Sequence, residues 1–297
     1  PATPKSRAVA ALMALAFLLV AAPGHAQLRL DITQGVRDAV PIAVVPFGGQ
    51  AEGGANDIAA VVANDLRMSG RFAPLERRDM VSRPTSGAEI RFEDWRLLKS
   101  DFVVVGRVEP DGAGLAVNFE LHNVRTGASL LAQRLPSTEK GLRATAHRIA
   151  DLVFERLTGI PGAFSTRIAY VAVDGKPPAQ RYRLIVADAD GFNPRTVLES
   201  REPIMSPAWS PDGQNLAYVS FESKMSAIYV QQLTTGQRSR VSARAGINGA
   251  PAWSPDGRKL ALTLSRDGNL DIYTLELATQ TLTRVTSDDA IDTEAEW

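Results

Sequence analysis

The chain contains no cysteine. Disulfides, thiolate metal sites and a cysteine nucleophile are therefore excluded, while the redox compartment stays open, because many proteins of oxidising compartments also lack cysteine. Histidine is almost as scarce, with His25, His122 and His147 the only three among 297 residues. No G-x-S-x-G or H-E-x-x-H occurs, so neither a Ser-His-Asp triad nor a zinc-peptidase helix has support. Neither sign of charge is in excess, Lys+Arg and Asp+Glu both being 33. Composition thus gives no reason to expect nucleic acid or an anionic membrane surface as partner. Nor is there an apolar run of the roughly 20 residues that cross a bilayer. The stretch AVAALMALAFLLVAA, residues 8–22, falls short and stops at Pro23-Gly24.

That short run is informative in another way. Lys5 and Arg7 precede it, and Gly24-His25-Ala26 places small residues before Gln27 as a cleavage site requires. This is the pattern of a secretory signal peptide over residues 1–26. The first residue is Pro1, which suggests that the written start is itself incomplete. Cleavage after Ala26 removes two basic and no acidic residues, giving a formal charge of 31 − 33 = −2.

Between residues 27 and 162 helical and strand patterns alternate. PIAVVPF (41–47) and residues 102–108 read as short buried strands. Leu115, Val117, Phe119 and Leu121 alternate with polar positions, as in a half-buried strand, and residues 130–135 pair with it. A helix opens near Asn56 or Asp57 as N-cap, with Ile58, Val61, Val62 and Leu66 on one face. A second helix, about 138–157, carries Leu142, Ala146, Ile149, Leu152, Val153 and Leu157 as its apolar stripe. Gly159-Ile160-Pro161-Gly162 stops it and marks the domain boundary. The expectation is an α/β domain over 27–162, followed by a second domain over 163–297.

In the second domain helical periodicity is absent and a repeat takes over. PAWSPDG stands at 207–213 and again at 251–257. Ser-Pro-Asp-Gly suits a type I turn: Pro presets the second φ, Asp favours the third position, and Gly closes it. Each copy continues through matching strands, 215–220 and 259–264, then AIYVQQL (227–233) and DIYTLEL (271–277), then RVS (240–242) and RVT (284–286). Four short antiparallel strands every 44 residues are the signature of a β-propeller blade. One such sheet has two faces and no core, so it becomes stable only between neighbours. Trp209 and Trp253 are expected in the interfaces between blades. A weaker copy precedes them at 164–205, and Trp297 falls where the next PAW belongs. The fold expected is an α/β N-terminal domain followed by an all-β propeller, with blades 1–3 and the start of a fourth present. Three blades do not close a ring, so such a stretch presents open sheet edges and tends to aggregate.

Candidate chemistry is thin. Strand parity puts His122 on a polar face, and helical position puts His147 opposite the apolar stripe, so both read as solvated surface residues. GGQAEGG (48–54) lies between strand and helix but lacks the Lys and Ser/Thr of a phosphate loop, and reads as a connector. DADGFN (188–193) and DGNLD (267–271) faintly suggest calcium loops, yet neither has Gly at the sixth position, and both read as turns. No catalytic residue, metal or cofactor is assigned. What remains is surface: REPIMS (201–206), AGINGA (245–250) and DAIDTE (289–294) gather at one mouth of a propeller channel, where recurring loops can dock a protein segment.

The order of leader, small α/β domain and PAWSPDG blades resembles the TolB family, periplasmic components of the Tol–Pal system of Gram-negative envelopes. PIAVVPF, NDIAAVVANDLRMSGRFAPLE, VVVGRV, FERLTGIPGAFSTRIAYV and IMSPAWSPDG carry the match across almost the whole mature chain. The resemblance implies six blades in full length, about half of them here, and a non-enzymatic scaffold in the periplasm. It also implies roles in outer-membrane integrity, in envelope constriction at cell division and in colicin import. The family's mature N-terminal segment engages the TolA C-terminal domain; here that is Gln27, Leu28, Arg29, Leu30, Asp31 and Ile32. The family's propeller mouth binds the lipoprotein Pal and group A colicins. The matching positions are Met205, Ser206, Ile247, Asn248, Gly249, Ala250, Thr293 and Glu294. Where the family often has His before NGAP, this chain has Ile247. Neither nucleic-acid binding nor membrane insertion is implied. The rival reading is the propeller of a secreted prolyl-oligopeptidase-type serine peptidase, which requires an α/β-hydrolase domain beyond residue 297.

Overall fold

The computed structural model describes residues 39–297. The leader and the segment from Gln27 to Ile32 lie outside the described residues. Among the described residues no helix is long and apolar enough to cross a membrane.

Five strands form the first sheet, in the order β2-β1-β3-β4-β5. They are β1 (Val40–Val44), β2 (Phe72–Pro74), β3 (Phe102–Asp111), β4 (Gly114–Asn123) and β5 (Ser129–Ser137). β1 runs parallel to β2 and β3, while β3, β4 and β5 form an antiparallel meander. The parallel pairs need crossovers, and helix α1 (Ile58–Met68) supplies the one between β1 and β2. Helices α1 and α3 (Leu142–Thr158) cover one face of the sheet, burying Ile58, Val62, Leu66, Ala146, Ile149 and Val153 against Val104 and Phe119. The opposite face packs Val103 and Val105 around Trp95 of the short helix α2 (Phe92–Leu97). Covered on both sides, β3 needs a run of valines rather than alternation.

The N-cap of α1 is Asp57, whose carboxylate accepts from the backbone N–H of Ala60 at 3.1 Å and of Gly53 at 2.7 Å. The same carboxylate takes the Arg77 guanidinium at 2.6 Å, so the glycine-rich connector is pinned to the helix it introduces. α3 ends as its sequence suggests: Gly159 sits at φ 73° and donates to Glu155. Strand β2 and helix α2 had no counterpart in the sequence reading. Three and six residues are too short to display a period.

Beyond α3 lie three antiparallel sheets. The first has three strands, β6 (Arg167–Asp174), β7 (Arg181–Asp188) and β8 (Arg195–Ser200). The second has β9 (Ile204–Trp209), β10 (Asn215–Ser220), β11 (Ala227–Gln232) and β12 (Arg238–Ser242). The third has β13 (Asn248–Trp253), β14 (Lys259–Leu264), β15 (Asp271–Glu276) and β16 (Leu282–Arg284). The middle sheet shows why the repeat must stack. On β10, Leu216 and Tyr218 pack toward Leu184 and Val186 of the first sheet. The alternate residues Ala217 and Val219 pack toward Leu260 and Leu262 of the third. Both faces of one sheet are thus buried by its neighbours, which is blade packing and not a sandwich.

Each SPDG closes as a type I turn, with Gly213 N–H donating to Ser210 C=O and Gly257 N–H to Ser254 C=O, both at 2.8 Å. The serine hydroxyls add a second clasp, accepting from the N–H of Asn215 and of Lys259, each at 2.9 Å. Asp212 and Asp256 accept from the serine hydroxyls and from the N–H two residues on, which holds both carboxyls below the usual aspartate value.

Two expectations are corrected here. His122 is buried rather than solvated: the segment leading into α2 lies over it, with Phe92 6.0 Å from its ring and Glu120 bonded to its Nε2 at 2.9 Å. His147 is buried as well, only 3 % exposed. The face of α3 opposite the apolar stripe is covered by α1 and by the first blade.

Candidate docking rim and domain junction

The inner strands β9 and β13 each carry a defect at the same repeat position. Ser206 has φ 49°, Ala250 φ 44°, and Glu294, in the following repeat, φ 55°. Left-handed backbone is costly for residues with a Cβ, and such strain persists only where the surrounding structure enforces it. Here the enforcement is a register shift, between Ala217 and Val219 opposite β9 and between Gly249 and Ala252 on β13. Met205 is 52 % and Ile247 51 % exposed, and Ser206, Thr293 and Glu294 are exposed too.

Asn248 is the exception among the eight rim positions. It is 1 % exposed, with its Oδ1 accepting from Ser242 Oγ at 2.7 Å and from Arg244 N–H at 2.9 Å, while its Nδ2 donates to Arg244 C=O at 2.8 Å. It shapes the loop that displays Ile247 and is not itself displayed. Gly249 and Ala250 are half-buried.

Below the rim runs a ladder of tryptophans. Trp253 Nε1–H donates to Ala208 C=O at 3.2 Å, and Trp297 Nε1–H to Ala252 C=O at 3.1 Å. Each indole thus binds the carbonyl just before the tryptophan of the preceding repeat. Trp209 carries the Arg167 guanidinium over its ring at 4.8 Å. Ser206, Trp209, Pro251, Trp253 and Trp297 line one open groove along these strands. Sequence reasoning located the loops and the tryptophans but missed the left-handed positions. Their signal was a small residue directly before the repeated Pro, at Ser206-Pro207 and Ala250-Pro251.

A second constellation joins the α/β sheet to the blades, and of its members only His147 draws a reading from the sequence, as a surface residue. Arg143, His147 and Asp151 stand one helical turn apart on α3. Asp151 accepts from the N–H of Phe164 at 2.7 Å and of Ser165 at 3.2 Å, and from Ser165 Oγ, where the chain enters the first blade. His147 Nδ1 bonds Asp65 Oδ2 of α1 at 2.6 Å. Burial by itself would lower the His147 pKa, but the bond and charge of Asp65, with Asp190 behind it, raise it above the ordinary histidine value. Arg143 reaches the β7–β8 turn: Nη2 donates to Asp190, Nη1 to Ala55 C=O at 3.0 Å, and the guanidinium lies 3.9 Å over the Phe192 ring.

A mixed α/β sheet fixed by one helix to a run of three- and four-stranded antiparallel blades defines a two-domain β-propeller protein. Comparison with known proteins narrows this. Residues 28–130 match the TolB amino-terminal domain and residues 154–297 the TolB β-propeller domain. The chain belongs to the TolB family. It is 50% identical over 247 residues to the Tol-Pal system protein TolB of Methylococcus capsulatus, covering 83% of this chain and 58% of that one. The TolB of Xanthomonas euvesicatoria is 48% identical over 82% of this chain and 56% of its own length. The crystal structure of TolB from Acinetobacter baumannii superposes with a TM-score of 0.77 at 41% identity, over 87% of this chain and 63% of that one. The chain therefore spans somewhat over half the length of the relatives it matches.

Proposed function

We propose that the chain acts as a non-enzymatic scaffold of the Tol–Pal system in the periplasm. It binds the lipoprotein Pal at the propeller rim and the TolA C-terminal domain through the segment from Gln27 to Ile32. Linking the two would support outer-membrane integrity and envelope constriction at division, and the rim would also serve group A colicins. The observation that carries this reading is the recurring left-handed kink at Ser206, Ala250 and Glu294, beside which the apolar side chains of Met205 and Ile247 stand exposed. Strained backbone beside exposed apolar side chains suits protein recognition better than it suits folding alone.

The test is a binding titration of the full-length protein with each partner. Met205→Glu combined with Ile247→Glu is expected to weaken Pal binding at least tenfold and leave TolA binding intact. Removal of residues 27–32 is expected to do the reverse. Pal affinity unchanged by the double substitution would overturn the rim assignment. If the two sites are coupled, saturating Pal must change TolA affinity by the same factor that TolA changes Pal affinity.

A further inference from the structure

Among the described residues, the junction holds a buried imidazole nitrogen with no hydrogen-bond partner. His147 is 3 % exposed, its Nδ1 is taken by Asp65, and its Nε2 has no hydrogen-bond partner. A ring nitrogen of His147 and one carboxylate oxygen each of Asp188 and Asp190 lie within 4.8 Å of one another. With Nδ1 engaged by Asp65, Nε2 is the ring nitrogen available as a ligand. The geometry points to a site for one divalent transition-metal ion, Zn²⁺ by its donor chemistry, held by His147 Nε2, Asp188 and Asp190 where α3 meets the turn after β7.

The donor set decides the metal. An imidazole among carboxylates suits zinc, whereas calcium and magnesium take oxygen donors. Three protein ligands with one position open to solvent are a common zinc arrangement, with bonds of about 2.0–2.2 Å. The 4.8 Å spread must contract to roughly 3.4 Å, the ligand separation that tetrahedral bonds of this length give. Asp188 and Asp190 flank the turn after β7, and contraction requires them to rotate away from their present donors, Asn193 Nδ2 on Asp188 and Phe192 N–H and Arg143 on Asp190. The Asp65–His147 bond is the support such sites use, a carboxylate that fixes the tautomer and points the second nitrogen's lone pair outward.

Arg143 makes the proposal sharply testable. Its guanidinium neutralises the same carboxylates, Nη2 on Asp190 and Nε 3.7 Å from Asp188, and that Nε has no hydrogen-bond partner of its own. Arginine and metal are then alternative cations for one pair of acids. For a metal to bind, the guanidinium must give up these two carboxylates. Bound metal would clamp the first blade to α3.

The experiment uses the full chain, without a histidine tag and freed of metal by chelation, titrated at pH 7.5 against a fluorescent zinc indicator. One equivalent of Zn²⁺ is expected to bind with half-saturation below about 10 μM and to raise the melting temperature. Asp188→Asn, at a half-buried position, is expected to lose at least tenfold in affinity with an unaltered circular dichroism spectrum. Asp65→Asn should lose about 10–100-fold. Arg143→Gln should gain affinity, because the competing cation is gone. His122→Gln, at the other buried histidine, should change nothing. No saturable binding overturns the proposal. Binding undiminished in Asp188→Asn, or weakened in Arg143→Gln, overturns it equally.

Discussion

At Ala250 one methyl group sits where the backbone would prefer none. The sequence reads Asn248-Gly249-Ala250, and the natural inference gives the left-handed turn to the glycine. The structure gives it to the alanine, at φ 44°. An L-residue there costs about 1–2 kcal/mol relative to the ordinary regions, so Ala250→Gly is expected to be neutral or to stabilise by about 1 kcal/mol. Ala252→Gly, two residues on in the same strand and not left-handed, should destabilise by about 0.5–1 kcal/mol. Urea unfolding of the two variants side by side checks the opposite signs. Equal destabilisation by both would mean the kink carries no strain. The same residue-scale view explains Asn248, whose polar side chain looks available for docking but is spent on Ser242 and Arg244.

Helix α1 owes its start to Asp57, and that dependence has a pH signature. Burial works against the charged carboxylate, but the Arg77 guanidinium and the N–H groups of Gly53 and Ala60 outweigh it and hold the pKa below the ordinary 3.8. The folded state thus releases this proton at a lower pH than the unfolded chain. The stability it contributes is complete above the ordinary value and is lost as pH falls through the folded one. Asp57→Asn keeps a competent cap but abolishes the charge, so it is expected to cost about 1–3 kcal/mol at pH 7 and progressively less in strong acid. Urea midpoints of variant and wild type at pH 7, 4 and 3 measure this. A gap that does not shrink toward pH 3 would remove Asp57 from the account. Elements of this kind were legible: the cap, the apolar stripe of Ile58, Val62 and Leu66, and the strands 215–220 and 259–264 all follow from short-range pattern. The face of α3 bearing Arg143 and His147 was not legible. Whether a polar helical face meets water or a second domain depends on contacts between residues far apart in the chain, such as Arg143 with Asp190. Likewise, parity gave the face of β4 that carries His122 but not the residues 86–92 that fold over it.

On the scale of the molecule, the question is whether the α/β sheet and the blades unfold as one body. Asp151 is the hinge pin of that question, since it binds the first residues of the propeller segment while belonging to the helix that packs on the five-stranded sheet. Gly162 lies directly against it. A Cβ at Gly162 would stand 2.5 Å from the Asp151 Cα, a separation that side-chain rotation cannot relieve. Gly162→Ala must therefore push the chain off Asp151 and break its bonds to Phe164 and Ser165. Overpacking of this sort costs about 1–3 kcal/mol. More tellingly, it should uncouple the two parts, turning one thermal transition into two and exposing residues 159–166 to protease. Gly54→Ala is the control, because a Cβ there meets nothing within 4 Å. A single transition at the wild-type temperature in Gly162→Ala would mean that the polar stripe of α3 is ornament and that the blades hold their place by other contacts. Two transitions would mean that three side chains, spaced a helical turn apart, make a sheet and a propeller behave as one protein.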